Sequence, residues 1–333
     1  MRFLPAIAAF TVSLVCLRLL LSPSVRRLML DHPNARSLHA QPVPRSGGLA
    51  IAAGVGAGVA AGAAVPFALA VALGLAGALA TLSLADDFLN LPTLLRLAGH
   101  LAAAAALLTL ATSIEAPALF LVLLLAIAWY ANLYNFMDGS DGLAGGMAVF
   151  GFGAYAWAAH QSGQAALATA GSSIACASLA FLAVNFHPAR LFMGDVGSVP
   201  LGFLAGALGV IGWRDGAWPL WFPLLVFAPF VCDATLTLVR RLLRGERVWQ
   251  AHKDHYYQRL VRMGFGHRGV AWIEYAAMAG CTMTALLVRA AQPGVQAAAL
   301  CAAALVMIAI AAWIDLRWAR WSRAGRDSAG TPA

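Results

Sequence analysis

Four oxygen-bearing side chains, Asn132, Asn135, Asp138 and Asp141, recur at a strict spacing of three within Asn132-Leu-Tyr-Asn-Phe-Met-Asp138-Gly-Ser-Asp141-Gly-Leu-Ala. On a helix each step of three turns by about 300°, so the first three fan over roughly 120° of one face and can converge on a single ligand. Gly139 and Gly142 loosen the helix behind them, which places Asp141 on a turn that swings back toward the same point. Oxygen ligands with access to water suit Mg²⁺ or Mn²⁺, and carboxylates gathered at the end of a membrane helix are costly unless a cation is close. Ordinary polar capping of a helix end is the alternative, and it leaves the two aspartates of the DG-x-DG arrangement unexplained.

Further polar clusters follow the same habit of lying at the ends of apolar runs. Asp31 to Gly48 contains Arg36, Arg45, His32 and His39 before a Pro-Arg-x-Gly-Gly stretch, which suits phosphate contacts and close backbone approach. Leu84-Ala-Asp86-Asp87-Phe-Leu-Asn90 sets two carboxylates about 100° apart on a helix, so one can face the interior while the other orients a neighbour. Asn185-Phe-His187 leads to Gly194-Asp195-Val-Gly197-Ser198, where the glycines admit a bound anion and Asp195 offers a hard ligand to a metal bridging it. Asp233, four residues after Pro229 in an apolar run, needs a partner or a function. In His252-Lys-Asp-His255-Tyr-Tyr-Gln-Arg259, a helix would place His252, His255, Tyr256 and Arg259 on one face. Zinc would need a cysteine or a third histidine at ligand spacing, so imidazole and guanidinium contacts to phosphate are the better expectation.

The elements that must hold these residues are membrane helices. With 61% hydrophobic and 11% charged residues among 333, a two-domain soluble protein is excluded. The expected fold is an all-α polytopic membrane protein of about eleven transmembrane helices in one domain, over 3–22, 47–66, 68–85, 97–113, 117–137, 143–160, 164–185, 198–213, 217–239, 270–290 and 294–315. The first run could pass for a secretion signal, but no small-x-small cleavage site follows it and it is retained as a helix. Cys16, Cys176, Cys232, Cys281 and Cys301 lack metal spacing and read as small core residues. Most of the 22 Lys and Arg fall in one set of loops, above all 240–269, which places the N-terminus outside and the C-terminus in the cytoplasm. The net charge of +8 is thereby gathered on one face, where all the chemistry is expected. Residues 316–333 read as a basic cytoplasmic tail, disordered at its end.

Taken together, Asp31 to Gly48, Asp86-Asp87, Asn132 to Ala144, Gly194 to Ser198 and His252 to Leu260 resemble, in order and over nearly the whole chain, the polyprenyl-phosphate N-acetylhexosamine-1-phosphate transferases, glycosyltransferase family 4 of bacterial envelope synthesis. The resemblance implies a Mg²⁺-dependent enzyme, with Mn²⁺ as a substitute, in the bacterial inner membrane. It would transfer a sugar-1-phosphate from a UDP-sugar to undecaprenyl phosphate, releasing UMP, to initiate O-antigen or another envelope glycan. Carried over by position, Asp86, Asp87, Asp138 and Asp141 would be catalytic, with Asn135 and Asp195 on the metal. Arg45, Asn132, Asn185, His252, His255 and Arg259 would bind substrate. Asn90 stands where many members place a third Asp, and His255-Tyr-Tyr-Gln-Arg259 replaces a His-x-His form; the latter looks like the branch using 6-deoxy amino sugars such as N-acetylfucosamine or N-acetylquinovosamine. No nucleic-acid partner is expected, and a homodimer is left open. A secondary transporter would instead place its polar residues near helix midpoints within inverted repeats. A CDP-alcohol phosphotransferase needs an Asp-Gly-x-x-Ala-Arg core that Asp138-Gly-Ser-Asp141-Gly lacks.

Overall fold

The computed structural model describes residues 3–26, 29–31, 38, 42–62, 64–248, 250 and 252–329, with the backbone alone for 325–329. His32, Arg36 and His39, which the sequence puts on the phosphate side, lie outside the described residues. Each apolar run folds as helix: α1 (Leu4–Leu20), α2 (Gly47–Ala60), α3 (Phe67–Leu89), α4 (Thr93–Ala111), α5 (Pro117–Phe136), α6 (Leu143–Gln161), α7 (Ala165–Asn185) and α8 (Asp195–Arg214). Then come α9 (Phe222–Val226), α10 (Ala228–Leu243), α11 (Tyr256–Leu260), a π-turn (Val261–Phe265), α12 (Gly266–Val288) and α13 (Pro293–Ala329). A two-residue ladder pairs β1 (Leu30–Asp31) antiparallel to β2 (Val43–Pro44), closing the loop that precedes α2.

This is a nearly all-helical, multi-pass membrane architecture. Among the described residues, seven helical segments are long and apolar enough to cross a bilayer, Phe67–Leu89, Thr93–Ala111, Pro117–Phe136, Ala165–Asn185, Asp195–Arg214, Tyr256–Val288 and Pro293–Ala324; α1 and α2 are apolar but shorter. The span expected over 217–239 is interrupted between α9 and α10. Pro223 and Pro229 each sit in the first turn of their own helix, where the missing N–H is harmless, and Phe227 between them leaves helical geometry at φ −98°, ψ 14°. The basic tail differs as well, because α13 runs for 37 residues and carries Arg317, Arg320 and Arg323 beyond the expected end of its span. Arg317 stacks over Trp313 and Arg262 over Trp318, at 4.9 and 4.7 Å.

α8 is the central column and α13 the most peripheral: 89% of the apolar window is buried in the first and 11% in the second. Lipid tails are as apolar as leucine, so helices in a membrane associate by close packing of small residues. One such contact sits beside the polar end of the bundle. A Cβ on Gly48 would lie 2.3 Å from the Gly197 nitrogen, so the starts of α2 and α8 meet backbone to backbone. Gly47 and Gly48 donate to the carbonyls of Phe192 and Met193 at 2.9 Å, welding the loop before α2 to the loop before α8.

Candidate active site

The C-terminal ends of α3, α5, α7 and α10 and the N-terminal ends of α2, α4, α6, α8 and α12 come together at one end of the bundle. They enclose a cavity of about 510 Å³. Of the residues expected from the sequence, Arg45, Asn132, Asn135, Asp138, Asp141, Asn185, Asp195, His252 and His255 line it. Motifs more than two hundred residues apart in the chain therefore share one site.

Asp86 and Asp87, expected to be catalytic, are not among the residues that line the cavity; they lie behind its acidic side, each braced by an arginine that does line it. Asp86 accepts from the Leu91 N–H at 2.7 Å and from Arg96 Nη1 at 2.9 Å, so both of its oxygens are engaged. Asp87 pairs with Arg45 at 3.1 Å through Oδ1, while its Oδ2 is buried with no hydrogen-bond partner. The same Arg96 nitrogen lies 3.8 Å from Asp195 Oδ2, and that carboxylate opens the first turn of α8. Asp138 accepts from the Gly194 N–H; burial, and then the Asp195 charge, push its carboxyl well above the usual range. Crowded carboxylates and one orphaned oxygen form a place that favours a cation. Among the described residues no three His, Cys, Asp or Glu side chains form a metal cage.

The opposite wall is built of imidazoles on a carboxylate support. Asp233 takes the His255 Nδ1 at 3.1 Å and the N–H groups of Tyr256 and Tyr257 at 3.0 and 2.9 Å, capping the start of α11 inside the protein. His255 is thereby fixed with Nε2 as its free nitrogen. The Asp254 N–H donates to His252 Nδ1 at 3.3 Å, which puts the proton of a neutral ring on Nε2. Burial, then His255 and Arg241, lower the His252 pKa to about 4, so the ring is neutral near pH 7. Tyr257 ties this wall to the DG-x-DG turn: its hydroxyl donates to the Phe136 carbonyl at 3.0 Å, and a Cβ on Gly139 would lie 2.2 Å from that hydroxyl.

One expected substrate contact falls elsewhere, and a second is engaged by the backbone. Arg259 is not brought to the cavity: its guanidinium is buried against α13, 3.0 Å from Asp315 and over the Tyr256 and Trp318 rings. The helix starts only at Tyr256, where Asp233 caps it, so Arg259 does not share a face with His252. Asn185 reaches the cavity, yet accepts from Gly142 N–H and donates to the Leu191 carbonyl, both at 2.9 Å, and so positions the turn. Asn132 donates to His100 Nδ1 at 3.1 Å and to the Ala128 carbonyl at 2.7 Å. Asp141 holds two histidines, with His187 Nδ1 at 2.6 Å and His267 Nδ1 at 3.8 Å. Sequence reasoning missed Arg96, His100 and His267 as lining residues. Arg96 did leave a signal, since a cation in the first turn of a helix opposes the dipole and calls for a counter-charge.

Comparison with known proteins places this geometry in context. A family model described as Glycosyl transferase family 4 matches residues 68–213, which hold the acidic wall but not the imidazole wall. The chain is 32% identical over 292 residues to the decaprenyl-phosphate N-acetylglucosaminephosphotransferase of Mycobacterium leprae (strain TN), covering 73% of each chain. It is 28% identical over 295 residues to the probable undecaprenyl-phosphate N-acetylglucosaminyl 1-phosphate transferase of Bacillus subtilis (strain 168), covering 82% of each. To the undecaprenyl-phosphate alpha-N-acetylglucosaminyl 1-phosphate transferase of Yersinia pestis it is 27% identical, over 72% of this chain and 71% of that one.

Proposed function

Because the chain belongs to glycosyl transferase family 4, we propose that it transfers an N-acetylated amino sugar-1-phosphate from a UDP-sugar to undecaprenyl phosphate. The products are undecaprenyl-diphosphate-sugar and UMP, at the start of a cell-envelope glycan such as an O-antigen or wall polymer. One observation carries the reading: the carboxylates of Asp138, Asp141 and Asp195 share one cavity, at the end of a membrane bundle, with the imidazoles of His252 and His255. A transporter would carry such groups to mid-membrane. The positive charge of residues 240–269 supports a cavity on the cytoplasmic face of the inner membrane, where UDP-sugars are made.

The reaction joins two anions, so neutralising charge and aligning the phosphates are its main demands. Asp195 would hold Mg²⁺, with the oxygens of Asp138 and Asn135 beside it. When bound, the ion neutralises the donor diphosphate and the departing UMP. Arg45 and Arg96 draw in the acceptor phosphate and orient Asp87 and Asp86. A phosphate monoester has a second pKa near 6, so the lipid phosphate is largely a dianion at pH 7 and needs no strong base. Its oxygen attacks the sugar-bearing phosphorus, the bond from that phosphorus to the bridging oxygen breaks, and UMP leaves with the electron pair. His252 donates through Nε2–H, and His255 stands beside it on the same wall. No acyl phosphate forms on Asp86 or Asp87. Labelled UMP should therefore not exchange into UDP-sugar when lipid phosphate is stripped away, and robust exchange, lost in Asp87→Asn, would establish a two-step path instead.

The names of the relatives favour N-acetylglucosamine as the sugar, while the His255-to-Arg259 segment favours a 6-deoxy amino sugar. Membranes containing the protein, given Mg²⁺, undecaprenyl phosphate and UDP-linked N-acetylglucosamine, N-acetylfucosamine or N-acetylquinovosamine, should gain one sugar-phosphate on the lipid by mass. Absence of a lipid-linked product with every donor, with Mn²⁺ as well as Mg²⁺, would refute the reading.

A further inference from the structure

Two histidines on one carboxylate have no task in that reaction. His187 Nδ1 lies 2.6 Å from Asp141 Oδ2, and an ionised carboxylate only accepts, so the proton of this ring is on Nδ1 and Nε2 is a lone pair. His267 is arranged the other way. The Asp141 backbone N–H, which can only donate, points to His267 Nδ1 at 3.4 Å, and the Ser140 hydroxyl lies 2.9 Å from the same nitrogen. Nδ1 therefore accepts, and the ring offers N–H from Nε2. The rings are stacked, 5.7 Å apart and 11° from parallel. His267 lines the cavity beside Ser140 and Asp141, and the His187 side chain is 40% exposed.

The support beneath the pair is stiff. Asp141 Oδ2 also accepts the Ala189 N–H at 3.1 Å, and Phe186 packs against Trp272 of α12 with ring centroids 5.9 Å apart. A segment after α7 and the first turn of α12 are thus held so that opposite polarities stand side by side. An anion would meet a lone pair on one ring and the Asp141 carboxylate behind both. A metal would find both Nδ1 atoms already engaged. A neutral group carrying one acceptor and one donor meets neither obstacle.

Resting on the transferase reading above, we propose that His267 and His187 recognise a –CO–NH– edge of the nucleotide-sugar donor, His267 donating to its carbonyl oxygen and His187 accepting its N–H. Uracil carries such an edge in its imide and the sugar carries one in its acetamido group. Cytosine lacks the imide N–H, and glucose lacks the acetamido group.

The test uses the full-length protein in detergent, with binding of UMP and CMP measured by calorimetry and turnover measured with UDP-N-acetylglucosamine and UDP-glucose. His267→Phe and His187→Phe keep a ring in the stack and remove the polar atom. Each is expected to lower one selectivity about tenfold, the scale of a lost neutral hydrogen bond, and to leave the KM for lipid phosphate within about twofold. Collapse of UMP-over-CMP selectivity identifies the base as the edge that is read, and collapse of the N-acetylglucosamine preference identifies the acetamido group. His267→Gln retains an N–H and should restore most of the selectivity. If the histidines merely brace the turn, kcat falls for all donors with both ratios unchanged, and that result overturns the proposal. Selective nucleotide binding that depends on His267, without any lipid-linked product, would leave the proposal standing and refute the reaction.

Discussion

At the scale of single residues the carboxylates divide by what already holds them. Asp86 is fully engaged by Arg96 and the Leu91 N–H, whereas Asp195 is approached only loosely by Arg96, at 3.8 Å, and lies open to the cavity. Asp195→Asn should accordingly keep the folded protein and lower kcat by at least about 100-fold, most severely at limiting Mg²⁺. Near-normal turnover under limiting metal would remove Asp195 from the ion. His252 gives a pH expectation. Its folded pKa is pushed down to about 4, from about 6.5 for a free imidazole, because burial, His255 and Arg241 all disfavour the charged ring. The unfolded chain then binds the extra proton more readily, so stability is lost as pH falls from about 6.5 toward 4. His252→Gln should flatten the drop in melting temperature between pH 7 and pH 5, and an unaltered pH slope would count against a neutral buried ring.

At the scale of elements, what the sequence could reveal was local. Spacing alone located Asn132, Asn135, Asp138 and Asp141, and apolar run lengths located the helices, because periodicity and hydropathy are properties of neighbouring residues. The bracing of Asp86 by Arg96 and the stacking of His187 on His267 join separate elements, so no spacing rule encodes them. Arg259 shows why: a helix from His252 onward would put it on the face of His252, but the Asp233 carboxylate starts the helix at Tyr256 and Arg259 turns toward Asp315. The contact between α11 and the DG-x-DG turn is equally non-local, and it can be tested. Gly139→Ala would drive a methyl into the Tyr257 hydroxyl, which would lie 2.2 Å away, and should cost about 1–3 kcal/mol together with most of the activity. With Tyr257→Phe added, the nearest ring carbon to that methyl is the one at 3.2 Å, and thermal stability in detergent should recover in part. A double variant no better than Gly139→Ala alone would mean the clash lies elsewhere.

At the scale of the whole molecule, the arrangement of charge and site predicts a topology. Asp215 lies on an exposed turn after α8, at the opposite end of the bundle from the cavity, and it avoids the left-handed φ of 73° at Gly216. In a background without the native cysteines, Asp215→Cys should react with an impermeant thiol reagent in intact cells, and a cysteine at Lys253 should react only after permeabilisation. The reverse pattern would invert the protein. The closing of the cavity by α11 also bears on biosynthesis. The ribosome delivers Asp87, Asp138 and Asp195 to the membrane long before His252, His255 and the Tyr257 lock. A nascent chain that has not yet reached residue 252 carries the acidic wall without its imidazole counterpart. The two walls of the site therefore come together late in translation, and a chain interrupted before residue 252 would lack every imidazole that the loop before α11 brings to the cavity.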